Sequence, residues 1–517
     1  CTDIKEHAKV LTTGDGPFMP SVLYFRSPED YVFGAQAKAE SGADFAAKVS
    51  NIKRALTADG RTIHNVHFAP ERIVHVMMRE FISVAARTLQ EIPTHLVVTV
   101  PVGFSERQRR IVSDATLEAG KGFVRRVDVV DEPTAAAMHY VWSHEAEFAK
   151  ASADHPVRIL VFDFGGGTLD IAILSVTNEG FQIRARRGDP RLGGLDMDRL
   201  VADHLAMEAK REYPAFEARA VTLPRKRYQA AFGDKPAFYN LRMAFAETAE
   251  RIKIALSEAS EEAFVLSYTA ANRQFDQDLL DEAGKTIPLH DDADVFSGAM
   301  REPQLAELID ERRERCIRVL ENSLIAAALD KNDIDIVLMT GQVCYMPSVR
   351  KAVKDFFEGV DAAIPEADEF EMKQCVALGA AKLALMMEGM PLPRTGLHSN
   401  VGTIGYFSSG LARRFVEILP DRHPYGEEGE KPAQVQLDHH GEGFLTVYQN
   451  LGRSETLSKD TADDFIQLAR IHVQIEDKPG AMVDVYLGLD GNGNLTARTG
   501  DRRWKPQLLS TEADEVF

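Results

Sequence analysis

Residues 157–176 read VRILVFDFGGGTLDIAILSV, and this stretch most narrows what the chain can fold into. Two apolar runs flank a glycine triplet. Leu160, Val161 and Phe162 are consecutive apolar residues, as in a strand buried on both faces, and residues 171–176 form a second such run. Gly165, Gly166 and Gly167 permit a turn that a residue with a Cβ makes only at a cost. Their unencumbered N–H groups can also approach an oxyanion. Asp163 stands just before the turn and Thr168 just after it. A carboxylate beside a phosphate-sized hole implies a bridging magnesium. A plain glycine hairpin with a solvated Asp explains this stretch alone equally well, because short glycine motifs have many chance matches.

A chain of 517 residues exceeds one typical core, so two or more domains are expected. The balance of 44% apolar and 27% charged residues is that of a globular protein, and no apolar run is long enough to span a bilayer. A formal net charge of −19 argues against a general nucleic-acid or anionic-membrane surface, though not against a local basic pocket for nucleotide phosphates. Cys1, Cys316, Cys344 and Cys375 are scattered without metal-ligand spacing, which reads as reduced thiols in a cytoplasmic compartment. The first residue is Cys rather than Met, which suits an incomplete sequence better than a mature lipoprotein.

In chain order, residues 20–25 (PSVLYF) and 31–33 predict short strands. Residues 35–54 are helical in composition and end in Lys53-Arg54, a pair that usually marks a solvated helix end. Residues 70–89 carry helical periodicity through Ile73, Val76, Met77, Phe81, Val84 and Leu89. Residues 96–100 (LVVTV) form a buried-type strand closed by Pro101, and Ser105 then resembles an N-cap for a helix toward Ala119. A short β run at 127–130 leads into DEPTAAAMHY, where Pro133 fits a helix's first turn. Strands and helices alternate up to the glycine triplet, as in an α/β architecture.

Beyond the triplet, RLGGLDMDRL opens a helix with Asp196 and Asp198 near its start. There Gly193 and Gly194 can set backbone amides against a phosphate, or Asp can simply cap the helix. Residues 203–262 are mostly helical, interrupted at Pro214 and from Pro224 to Pro236. Glu250, Lys253 and Ser257 share a helical face, for which a solvated charged surface is the plain explanation. Residues 303–327 read as one long helix, 335–339 as a strand, and 346–357 and 376–387 as helices. After about Met390 the texture changes. PLPRTG resembles a linker, and seven β-like runs separated by turns suggest an all-β sandwich. DGNGN at Asp490 reads as a hairpin turn rather than a calcium loop, and the tail STEADEVF as a frayed end.

Together these pieces resemble the heat-shock protein 70, or DnaK-like, chaperone family over almost the whole chain. HLVVTVPVGFSERQRR is similar to the strand, proline and helix of its first lobe, and VDVVDEPTAAAMHY to its glutamate–proline–threonine–alanine segment. VFDFGGGTLD is similar to its second phosphate loop, RLGGLDMD to its next glycine pair, ETAERIKIALS to its adenosine-contacting helix, and DIVLMTGQVCYMP to its last nucleotide loop. That family shares its nucleotide-binding fold with actin and sugar kinases. The proline–alanine segment and the trailing β runs favour the chaperone branch.

The resemblance implies an α/β, two-lobed actin-like ATPase domain over residues 1–389, a linker at 390–397 and a small β-sandwich, substrate-binding-like domain over 398–510. It implies ATP or ADP with Mg2+ as cofactors. Lys53 would stabilise the transferring γ-phosphate, and Glu132 and Asp163 would hold the magnesium through water. Thr168 would contact the γ-phosphate, and Gly165, Gly166 and Gly167 would wrap the phosphates. Gly193 and Gly194 would approach the nucleotide from the other lobe. Glu250, Lys253 and Ser257 would touch the adenosine, with Gly341 under it. Pro101 and Arg109 match a pair that relays nucleotide state between domains. Such a site works by positioning and charge neutralisation.

Several positions depart from the family pattern. The chain begins at about the family's second strand, so the first strand and first phosphate loop are expected to be missing. Ile254 stands where the family places an adenine-stacking Arg, and Leu195 replaces a Glu after the glycine pair. Thr340, Gln342 and Cys344 replace most of a glycine–serine–arginine loop, PLPRTG lacks the acidic, leucine-rich linker run, and no helical lid follows the sandwich. Two readings follow. One is an ATPase whose lidless sandwich binds extended apolar polypeptide, with a co-chaperone as a possible further partner. The other is a chaperone-like scaffold with weak or no nucleotide binding and one dedicated partner. An actin-like filament or a sugar kinase fits the trailing sandwich less well. Neither nucleic acid nor membrane is an expected partner.

Overall fold

The computed structural model describes residues 8–12, 18–40, 47–50, 52–56, 60–148, 150–178, 180–212, 218–223, 236–266, 296–366, 369–389, 403–408, 414–420, 427–450, 465–475, 477–489, 495–504 and 506–508. The linker PLPRTG, the DGNGN turn, the STEADEVF tail, Cys1, Pro214 and Pro224 lie outside these residues. Among the described residues no helix is long and apolar enough to cross a membrane. Cys316, Cys344 and Cys375 are buried.

The first lobe opens with an antiparallel sheet in the order β2-β1-β3, built from β1 (Leu23–Phe25), β2 (Tyr31–Phe33) and β3 (Lys48–Val49). Helix α1 (Ala35–Ala39) precedes β3 and α2 (Ile52–Ala55) follows it. The single helix expected over residues 35–54 is therefore not formed. Ala47, Val49 and Ile52 are buried, and Val49 pairs with Leu23, so tertiary packing overrides helical composition there. A hairpin of β4 (Arg61–Ile63) and β5 (Val66–Phe68) leads to α3 (Pro70–Leu89). Strand β6 (His95–Val100), helix α4 (Glu106–Ala119), β7 (Arg126–Asp131) and α5 (Glu132–Ser143) complete the lobe, with the short α6 (Glu145–Phe148) beyond it.

Strands β6 and β7 run parallel with Val100 opposite Asp131. Pro101 follows Val100 at the end of β6, and Glu132, the first residue of α5, follows Asp131. Ser105 caps α4 through a full capping box with Gln108. Asp131 caps α5 by accepting from the Thr134 N–H, and Pro133 lies in that helix's first turn.

The second lobe is a four-stranded sheet, β10-β9-β8-β13, of β8 (Val157–Phe164), β9 (Leu169–Thr177), β10 (Gly180–Asp189) and β13 (Ile336–Thr340). Leu160, Phe162, Ile171 and Ile173 face one core, while Ile159, Val161, Ala172 and Leu174 face another. Both faces are thus covered, which explains the unbroken apolar runs in the sequence. One face packs against α7 (Gly194–Glu212), α8 (Arg219–Thr222), α9 (Pro236–Ala255), the hairpin of β11 (Glu261–Leu266) and β12 (Phe296–Arg301), α10 (Glu302–Leu308), α11 (Asp310–Ala327) and α12 (Pro347–Phe356). The other packs against α5 and α13 (Glu369–Gly389).

The long helix expected at 303–327 is two helices, α10 and α11. Ile309 between them leaves helical geometry at φ −97°, ψ 6° and is fully buried, so core packing sets the bend. Helix α13 starts seven residues before the expected position, at Glu369.

The C-terminal β runs form two sheets around one core. One has the order β15-β14-β17-β18-β22, from β14 (Thr403–Phe407), β15 (Phe415–Leu419), β17 (Glu442–Asn450), β18 (Phe465–Gln474) and β22 (Gln507–Leu508). The other is β16-β19-β20-β21, from β16 (Ala433–Gln436), β19 (Met482–Leu489), β20 (Leu495–Thr499) and β21 (Arg502–Trp504). Val435, Val483, Val485 and Leu487 of one sheet meet Val447, Ala469, Ile471 and Val473 of the other. Burial alternates residue by residue, as a sandwich requires.

Candidate functional site

The hairpin β8–β9 sets Asp163 directly opposite Asp170, and opposite residues of an antiparallel pair share a face. On the other edge of β8, Thr340 of parallel β13 lies beside Asp163. Gly341 follows in left-handed backbone at φ 83°, where a Cβ would press into the Phe164 carbonyl and come within 2.8 Å of the Asp163 carboxylate. The glycine preference at that position is therefore both conformational and steric.

The triplet answers to a different need. None of Gly165, Gly166 and Gly167 has positive φ, so the turn itself does not demand glycine, contrary to the expectation above. The Gly165 N–H donates to the Thr168 carbonyl at 3.0 Å and closes the turn. The Gly165 and Gly166 carbonyls accept from the amides of Gly194 (3.1 Å) and Leu195 (2.8 Å). A Cβ on Gly193 would come within 2.5 Å of the Gly167 backbone, so this docking needs a bare residue there. The amides at the start of α7 are thus taken by protein acceptors, with the Gly193 N–H on Asp196 at 2.8 Å, rather than presented to a phosphate. The presented donors are the amides of the turn after Gly165. The amides of Gly166, Gly167 and Thr168 have no acceptor among the described residues, and the space where a Cβ of Gly166 would stand is open.

Lys53, on the first-lobe helix α2, bonds the Glu132 carboxylate at 2.5 Å. Its side chain remains 51% exposed. Burial alone would pull the ammonium down, but Glu132, Asp163 and Asp170 outweigh it, and the net shift is upward. Burial, and then the Glu132 charge, push Asp163 up to about 7 against Lys53 and Thr340. Asp170 rises to about 8 for the same leading reasons. Lys53, Glu132 and Asp163 are thus brought together across the two lobes.

Asp170 is a site residue that the sequence reading missed. It accepts from the Thr168 hydroxyl at 2.5 Å and from the Val102 N–H at 2.7 Å. Its only sequence signal was its place after the glycine turn, two residues from Thr168.

The remaining candidates lie around this centre. Lys253 on α9 pairs with Asp198 at 2.6 Å and donates to the Gly194 carbonyl at 3.2 Å, so its ammonium is committed to the start of α7. Ser257 donates to the Lys253 carbonyl at 3.2 Å. Glu250 lies 4.0 Å from Lys38 of the first lobe. Ile254 is 58% exposed on the same helix. Pro101 is buried, and its carbonyl accepts from the Phe104 N–H. Arg109 is buried beside Asp131, donates to the Phe104 carbonyl at 3.3 Å, and leaves Nη2 without a hydrogen-bond partner among the described residues. Asp131 also pairs with Arg186 in full burial.

A family model described as Hsp70 protein matches residues 55–394. The chain belongs to the Hsp70 family. Chaperone protein DnaK from Methanothermobacter thermautotrophicus is 27% identical over 492 residues, covering 94% of this chain and 72% of that protein. The fold is that of the Hsp70 family: a two-lobed actin-like α/β part followed by a β sandwich.

The carboxylates Asp163 and Asp170, lifted first by burial and then by the Glu132 charge, stand near Lys53 as a hard oxygen donor set suited to a divalent cation. Among the described residues no three His, Cys, Asp or Glu side chains converge as direct metal ligands would.

Proposed function

We propose that this chain is an ATP-dependent chaperone, binding and hydrolysing ATP in the cleft and coupling that cycle to the holding of extended apolar polypeptide. The observation that carries the reading is the juxtaposition of three amides, Gly166 to Thr168, that have no acceptor among the described residues, with the Lys53–Glu132 pair and the buried Asp163. Successive free amides make a nest for phosphate oxygens, and the ammonium beside them neutralises charge that develops on a transferring phosphoryl group. Glu132 and Asp163 would hold magnesium through water, and the ion would supply charge neutralisation at the phosphates. Lys53 would orient the attacking water, and Thr168 would be aimed by Asp170. The fold divides in this reading into a nucleotide-binding part, 1–389, a linker, 390–397, and a peptide-binding sandwich, 398–510. The location would be cytoplasmic.

Calorimetry with ATP and magnesium, followed by turnover measurements, tests the proposal. Binding with turnover is expected, and Asp163→Ala should lower turnover by about 10²–10³-fold. If Asp163→Ala hydrolysed ATP as fast as the parent, these roles would be wrong. A fluorescent extended apolar peptide should bind the full chain and be released on adding ATP. One observation favours the alternative, a scaffold for a dedicated partner with weak nucleotide binding. Ile254 offers an exposed aliphatic edge where an adenine-stacking guanidinium would stand.

A further inference from the structure

The sequence marked Lys53-Arg54 as a solvated helix end, yet the Arg54 side chain is only 14% exposed. Its Nε and Nη2 donate to the Gly167 carbonyl at 3.1 and 2.7 Å. Its Nη1 donates to Asp196 Oδ1 at 3.1 Å, and Nη2 also meets Asp196 Oδ2. The same Oδ2 accepts the Gly193 N–H. One guanidinium on α2 of the first lobe thus ties together the third glycine of the loop and the start of α7 in the second. A planar fork holds two acceptors at fixed angles, which a flexible ammonium does not. Adjacent residues of α2 divide the work: Lys53 bonds within its own lobe, and Arg54 crosses to the other.

We propose that Arg54 is a positioning residue, a clasp that locks the triple-glycine loop to the closed first lobe and so sets the Gly167 and Thr168 amides for a phosphate. Its role for nucleotide rests on the function proposed above, while the clasp itself does not. Asp196 is the anchor and takes the charge that Leu195 cannot carry. Opening the lobes must break the fork, so its loss eases opening.

The test uses the full chain and the variants Arg54→Ala, Asp196→Ala and the double. Amide hydrogen exchange over residues 164–170 and 193–196 is read without nucleotide. Each single variant should exchange about tenfold faster in these segments, and the double no faster than a single, because one shared network is lost once. Arg54→Lys keeps the charge toward Asp196 but not the fork and should fall between parent and Arg54→Ala, which separates the clasp from general unfolding. Unchanged exchange, or effects that multiply in the double, would overturn the clasp. Release of ADP with magnesium should also quicken about tenfold in Arg54→Ala. A parent that binds no nucleotide while exchange still responds to Arg54 would sink the ATPase reading and leave the clasp standing.

Discussion

The Asp170 carboxylate accepts the Val102 N–H, 68 residues away in sequence, at 2.7 Å. Through its other oxygen it holds the Thr168 hydroxyl. A single side chain of the second lobe thus joins the segment after Pro101 in the first lobe to the end of the glycine loop. Asp170→Ala leaves the buried Val102 N–H without an acceptor and should cost about 1–3 kcal/mol of stability, read as a shift of the denaturant midpoint. Asp170→Asn keeps an acceptor for Val102 and should recover most of that loss. Equal destabilisation by both variants would mean that charge, not the hydrogen bond, matters there.

Two glycines of the site should respond in opposite ways to the same substitution. Gly341→Ala forces a Cβ into left-handed backbone beside Phe164 and should destabilise the fold by about 1–3 kcal/mol. Gly166→Ala meets nothing within 4 Å and should leave the melting temperature unchanged. A methyl there stands in the space that a phosphate would occupy, so calorimetry should show nucleotide affinity reduced instead.

Ile254→Arg restores a guanidinium to an exposed position on the helix that carries Glu250 and Lys253. A cation stacked on an aromatic face contributes about 0.5–1 kcal/mol at an open site, so adenine-nucleotide affinity should rise roughly threefold. The same variant should leave the affinity for inorganic phosphate unchanged. A gain for both ligands would point to charge alone.

His139 on α5 has a buried Nδ1 without a hydrogen-bond partner among the described residues. Burial, followed by the charges of Lys382 and His144, lowers it from the ordinary 6.5 to about 4. Between those values the unfolded chain takes up a proton that the folded protein refuses, so stability is full above pH 6.5 and falls as pH drops toward 4. Urea unfolding of parent and His139→Gln at several pH values should show the parent losing more stability over that window. Parallel curves would remove His139 from the account.

Much of the scaffold was legible along the chain because the deciding forces there are local. Ser105 with Gln108, Pro133 in the first turn of α5, and the apolar runs on either side of the glycine triplet act within a few residues of themselves. The alternating runs of the sandwich are equally direct, since a strand with one buried face shows its period in any register. Lys53, Glu132 and Asp163 were singled out because their neighbours resemble a known family, and in the structure Lys53 bonds Glu132 close to Asp163.

What the tertiary structure alone decided concerns residues whose partners are remote. Arg54 reaches Asp196 across 142 positions, and nothing beside Arg54 in sequence distinguishes it from a solvated cation. The break of residues 35–54 into α1, β3 and α2 came from Val49 pairing with Leu23, a contact that helical composition cannot register. Of the two reasons for singling out the glycine triplet, a turn that needs glycine and bare amides facing an oxyanion, the structure overturns the first. The triplet's φ values are ordinary, and its bareness matters because Gly193 packs against it and open space lies above Gly166. Local propensity chooses elements from their own residues, whereas a charge, a close approach or an empty space acquires meaning only once folding has brought its counterpart alongside.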